Sequence, residues 1–108
     1  MTPSRLEAMR AMVAKNPSNA LARFGLANEA LNAQLYEEAA EHLRVYLDHH
    51  DDEGNGYGRL ADALVKLGRV EDARDALTKG IEASRRFGHP GMVNEFEARL
   101  EELEGEGE

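Results

Sequence analysis

The side chains best able to do chemistry gather in one stretch, His49-His50-Asp51-Asp52-Glu53, where imidazoles and carboxylates of metal-ligating type stand together. Such groups could hold a divalent cation, but working sites need ligands fixed by rigid elements. Here the run continues into Gly54-Asn55-Gly56, a composition of turn formers. A polar loop without a bound metal is the reading. The glycines of Gly54-Asn55-Gly56-Tyr57-Gly58 precede a helix without the lysine of a phosphate loop. Ser4, Ser18 and Ser84 stand in no nucleophile–base–orienter set. The carboxylate pairs Glu37-Glu38 and Glu101-Glu102 fall on solvent faces of predicted helices, as does His42 beside Glu38 and Glu41. His89 precedes Pro90 in a turn. There is no cysteine, which excludes disulfides, thiolate metal sites and cysteine nucleophiles. The expectation is a protein that is not an enzyme and needs no cofactor.

The elements that carry these residues are helices. Met9 and Val13 share a face with Leu6, and Asn16-Pro17 ends that first helix, which Thr2-Pro3 should open. The next begins near Ser18 or Asn19 and carries Leu21, Phe24, Leu26, Ala27, Ala30 and Leu31. Tyr36 to about Asp48 forms the third, with Ala39, Ala40, Leu43 and Leu47 inward. A loop over 49–56 follows. The fourth helix runs to Leu67 with Gly68 closing it, and the fifth from Val70 to about Arg86, with Gly80 inside. Gly88-His89-Pro90-Gly91 breaks the chain, and a sixth helix runs to about Glu104 with Val93, Phe96, Leu100 and Leu103 as its stripe. Residues 105–108 read as a disordered acidic tail.

Composition narrows the function classes. The chain has 108 residues and a net charge of -8, which suits one small domain. Residues 91–108 hold seven acidic side chains against Arg99 alone, so the acidity belongs mostly to the last helix and its tail. Nothing forms a basic stripe that could neutralise phosphates, so nucleic acid is not expected as a partner. No apolar run approaches a membrane span, and Arg5, Glu7, Arg10 and Lys15 are spread through an amphipathic pattern rather than a signal peptide. A soluble cytoplasmic protein without membrane contact is expected.

The helices repeat. At a step of 34 residues Leu26 recurs as Leu60, Ala27 as Ala61, Tyr36 as Val70, Ala39 as Ala73, Leu43 as Leu77 and Leu47 as Ile81. Stepping back, Leu43 and Leu47 map to Met9 and Val13. A fixed period in this range marks a solenoid of helix pairs that bury their apolar faces against neighbours and leave a concave surface open.

Residues 20–53 and 54–87 resemble the tetratricopeptide repeat. The leucine and small residue within the first helix of that repeat are matched by Leu26-Ala27 and Leu60-Ala61. The alanine and large apolar residue of the second helix are matched by Ala39 and Leu43, then Ala73 and Leu77. Gly68 fits the tight turn, Tyr57 the early aromatic, and Asn16-Pro17 the inter-repeat proline. Asp51 departs from that proline, and Asn94-Glu95 replaces the leucine-small pair. The resemblance implies an all-α, right-handed α-solenoid of antiparallel helix hairpins with about six helices. One domain over 1–104 would then comprise a half-repeat helix at 2–19, the repeats at 20–53 and 54–87, and a capping helix at 88–104.

What the resemblance implies about function is an adaptor or scaffold that binds a peptide or protein segment in its concave groove. Carried over to this sequence, that groove is lined by Phe24, Asn28, Leu31 and Asn32 from one helix and by Asn55, Arg59, Asp62 and Lys66 from another. An extended acidic or C-terminal peptide is the expected ligand, with Arg59 offering a planar fork for a carboxylate. Arg59, Asp62 and Lys66 would also serve as solvated intrahelical ion pairs. Of the five residues with which some members clamp chaperone tails, this chain keeps only Asn28, so that ligand is not expected. The alternative function is a self-assembling module, a homodimer for example, joined through Met9, Met12, Phe96 and Leu100 on the end helices.

Overall fold

Local chemistry sets the helix ends. The Ser4 hydroxyl accepts the N–H of Glu7 at 3.1 Å to open α1 (Arg5–Lys15), and the Asn19 carboxamide accepts that of Ala22 at 3.1 Å to open α2 (Ala20–Asn32). The remaining helices are α3 (Tyr36–His49), α4 (Asn55–Lys66), α5 (Val70–Arg86) and α6 (Pro90–Glu106). These elements come from a computed structural model that describes residues 4–106. Thr2, Pro3 and the last two residues of the acidic tail lie outside the described residues.

Three helices end in the same way. After α2, α4 and α5 the chain turns through one residue of positive φ, Gln34 at 63°, Gly68 at 76° and Gly88 at 75°. The next N–H reaches back to Ala30, Leu64 and Ser84 at 2.8 Å in each case, the six-to-one bond of a Schellman cap. Glycine occupies two of these positions at no steric cost, whereas Gln34 holds the left-handed conformation against its own Cβ.

The inter-repeat loop is shorter than the polar run suggests. Asp52, expected in a solvated stretch, is 6% exposed. Its carboxylate accepts the N–H of Gly54 at 2.8 Å, that of Gly56 at 2.7 Å and the Tyr46 hydroxyl at 3.0 Å. Those bonds satisfy the free N–H groups at the start of α4, so Asn55 and Gly56 join the helix instead of the loop. Burial, then the hydrogen bond to Asp52, holds the Tyr46 phenol above its ordinary range. Pro90 and Gly91 likewise enter the first turn of α6, where proline's missing N–H costs nothing. At its other end α6 continues through Gly105 to Glu106.

Each helix packs chiefly on the one before it and the one after it, with a further touch between α2 and α4. Alanines mark the closest approaches: Ala27, Ala30, Ala39, Ala61, Ala63 and Ala73 are fully buried. The tightest fit involves Phe96, which is 2% exposed. A Cβ on Gly58 would stand 2.8 Å from its ring and one on Gly80 2.9 Å. The ring fills a hole that two glycines of α4 and α5 leave open. Phe96, named above as a contact for another chain, is therefore occupied within its own fold. Leu100 and Met9 are half-buried, and only Met12, at 56%, is widely exposed among the four.

A polar cluster joins the first three helices. Arg10 of α1 makes a bidentate pair with Glu38 of α3 at 2.8 and 2.7 Å, which lowers the Glu38 pKa. His42, expected on an exposed face, is half-buried beside Glu38 and takes a hydrogen bond at Nδ1 from Arg23 at 3.1 Å. An arginine can only donate, so Nδ1 accepts and the ring is neutral. Burial first, then the Arg23 charge, depresses the His42 pKa below 6.5, against the raising effect of Glu38 and Glu41.

Three outcomes follow for stability. Gln34→Gly should raise unfolding free energy by about 1 kcal/mol, read as a higher urea midpoint with unchanged slope. Gly80→Ala would gain about 0.5–1 kcal/mol in an open helix. Here it must displace Phe96, and a net loss of about 1 kcal/mol is expected by the same assay. A depressed histidine pKa means that the unfolded chain binds the proton more readily. Stability should therefore fall as pH drops from about 6.5 through the folded value, with the loss smaller in His42→Gln across a pH series of denaturant melts.

Candidate functional site

The open face of the solenoid is built on the first helices of the hairpins, α2 and α4, and on α6. On α4 the spacing that predicted a shared face holds: Asn55, Arg59, Asp62 and Lys66 are all exposed along it. A depression of about 420 Å³ brings Arg59, Asp62 and Lys66 together with Leu31 of α2. Its remaining walls are Tyr36, Val65 and Leu77, and then Arg99, Glu102 and Leu103 from α6. An adjoining hollow of about 390 Å³ carries Asn55, Gly58, Arg59 and Asp62 opposite Glu95, Phe96 and Arg99. The two hollows thus form a cleft between α4 and α6, floored by apolar side chains and walled by charges.

The Asp62 carboxylate is paired across the cleft with the Arg99 guanidinium, which also lies 3.4 Å from the Gly58 carbonyl. This interhelix pair replaces the intrahelical pairing with Arg59 or Lys66 that the sequence left open. Arg59 and Lys66 have no carboxylate within 4.0 Å among the described residues.

The α2 residues fare differently. Phe24 turns away from the cleft and meets Tyr46 of α3 edge-on, centroids 4.9 Å apart and rings at 83°. Asn28 is half-buried, and its Oδ1 is shielded from solvent without a hydrogen-bond donor. Asn32 is exposed at the end of α2 and lines neither hollow. Leu31 alone reaches the cleft floor. The charged α6 residues were not among the groove residues expected from the sequence, although Arg99 carried a signal as the lone cation in an acidic helix.

No group of three or more His, Asp or Glu side chains that could hold a metal ion exists among the described residues. Asp52 and His89 are engaged elsewhere, the former in the loop and the latter with Glu53 at 2.6 Å. No described helix is long and apolar enough to cross a membrane.

Comparison with known proteins agrees with this architecture. A sequence model of the tetratricopeptide repeat matches residues 2–60. The TPR repeat-containing protein PA0015 of Pseudomonas aeruginosa is 31% identical over 99 residues, covering 92% of this chain and 94% of that protein. The solution structure of protein BPP2914 from Bordetella parapertussis superposes with a TM-score of 0.81 at 28% identity, over 97% of this chain and 91% of that one. A structure described as MamA MSR-1 C2 shares the fold, with a TM-score of 0.67 at 19% identity over 95% of this chain and 67% of that one. With six helices among its described residues, its buried alanine positions and the match over more than half its length, the chain belongs to the tetratricopeptide repeat family, whose repeats generally mediate protein–protein interaction.

Proposed function

We propose that this chain is a non-enzymatic adaptor that binds a segment of a partner protein in the cleft between α4 and α6. One observation carries the reading. Arg59 and Lys66 stand exposed on one wall without a carboxylate partner among the described residues, above a floor that includes Leu31, Val65 and Leu103. Cations over an apolar floor suit a segment that presents acidic side chains to α4 and buries an apolar one between them. The guanidinium of Arg59 can take a carboxylate in two parallel bonds, and Lys66 supplies a mobile point charge. An extended segment, or one ending in a carboxylate, meets these requirements.

Self-association is the second reading, and the observation favouring it is the 56% exposure of Met12 on α1, with Leu21 on the neighbouring α2 83% exposed. Its other end is weakened by the burial of Phe96.

The deciding experiment is affinity capture with the purified chain beside an Arg59→Glu, Lys66→Glu variant, run with light scattering of both. A partner held by the wild type and bound about tenfold or more weakly by the variant supports the groove. Equal capture by both moves the working surface elsewhere. A wild-type mass that grows with concentration, and reverts in Met12→Glu, favours self-association.

A further inference from the structure

The two walls of the cleft carry opposite charge sequences. On α4 the order is Arg59, Asp62, Lys66, and on α6 it is Glu95, Arg99, Glu102. The outer members are seven residues apart on both helices, two turns or about 10.5 Å. The order along the cleft is the same on both sides. Arg59 shares one hollow with Glu95, while Lys66 shares the other with Glu102. The middle rung, Asp62 to Arg99, is closed. The outer rungs are open, because none of the four outer residues has an ion-pair partner within 4.0 Å among the described residues.

We infer that the segment bound in this cleft carries both signs of charge, with acidic side chains directed to Arg59 and Lys66 and basic ones to Glu95 and Glu102. This rests on the groove reading above and narrows it, since a purely acidic segment would meet two uncompensated glutamates on the α6 wall. Like charges brought together across an interface oppose binding as strongly as complementary ones favour it. An extended chain sends successive side chains to opposite sides. A strand lying along the cleft therefore addresses α4 with alternate residues and α6 with those between. Acid and base in alternation match both walls at once, and an apolar residue near the centre settles over the floor beside the closed rung.

The test is fluorescence anisotropy with the full chain and four labelled peptides of about ten residues, long enough to pass both rungs at about 3.3 Å per residue. All four share a central leucine. One alternates glutamate and lysine, one groups the same residues into an acidic and a basic block, one is all glutamate and one all lysine. Measured at about 50 mM salt, where screening is weak, the alternating peptide should bind about three- to tenfold tighter than the other three. A Glu95→Lys, Glu102→Lys variant, with its helicity checked by circular dichroism, should switch its preference to the all-glutamate peptide. If the wild type takes the all-glutamate peptide as tightly as the alternating one, and Arg59→Glu abolishes that binding, the inference fails while the groove reading survives. If none of the four binds, the inference fails, and the groove reading is decided by the affinity capture above.

Discussion

The close approach of helix to helix, made possible by side chains of one carbon or none, is the constraint on which this molecule depends. Where Ala27, Ala30, Ala39, Ala61 and Ala73 are fully buried, a larger residue would push whole helices apart. The arrangement inverts at α6, where one large ring, Phe96, drops into space vacated by Gly58 and Gly80. That insertion draws α6 toward α4 closely enough for Arg99 to reach Asp62. The cleft therefore has its width and its charged walls because two glycines lack side chains on helices that would otherwise favour alanine.

A second layer of organisation is polar and follows the repeat. The pair between Arg10 of α1 and Glu38 of α3 recurs 34 residues on as Arg44 of α3 and Asp72 of α5, at 3.8 Å. Both link second helices of successive units on the side away from the cleft. Such pairs are at least partly exposed, and each contributes little to stability by itself. Asp52 differs, since its buried carboxylate has three donors and fixes the loop by which one unit passes to the next.

Sequence reasoning reached far into the fold because its signals are local. The Asn19 cap and the glycine after α4 act within a few residues of where they are read, and the 34-residue period repeats such local signals from one unit to the next. The face of α4 was equally legible, because helical spacing alone places Arg59, Asp62 and Lys66 together. What failed depends on packing between distant segments. Phe24 has the type of a groove residue, but its direction is decided by Tyr46 on another helix. Asp52 sits in a run that reads as solvated, and only the convergence of two backbone N–H groups and a phenol explains its burial. The pairing across to the α6 wall was not legible for the same reason: Asp62 and Arg99 are 37 positions apart and meet only through the packing of α6.

The largely sequential packing, in which each helix rests mainly on its predecessor in the chain, has a consequence for how the molecule comes into being. Few long loops must be closed before contacts form, so the topology belongs to the fast-folding kind. During synthesis α1 and α2 can pair while α4 is still being made, and each new helix finds its surface already waiting. The cleft forms only after α6 has docked, because α6 supplies its second wall. A growing chain thus hides its alanine seams one helix at a time, and the cleft takes shape only once α6 has emerged to wall it.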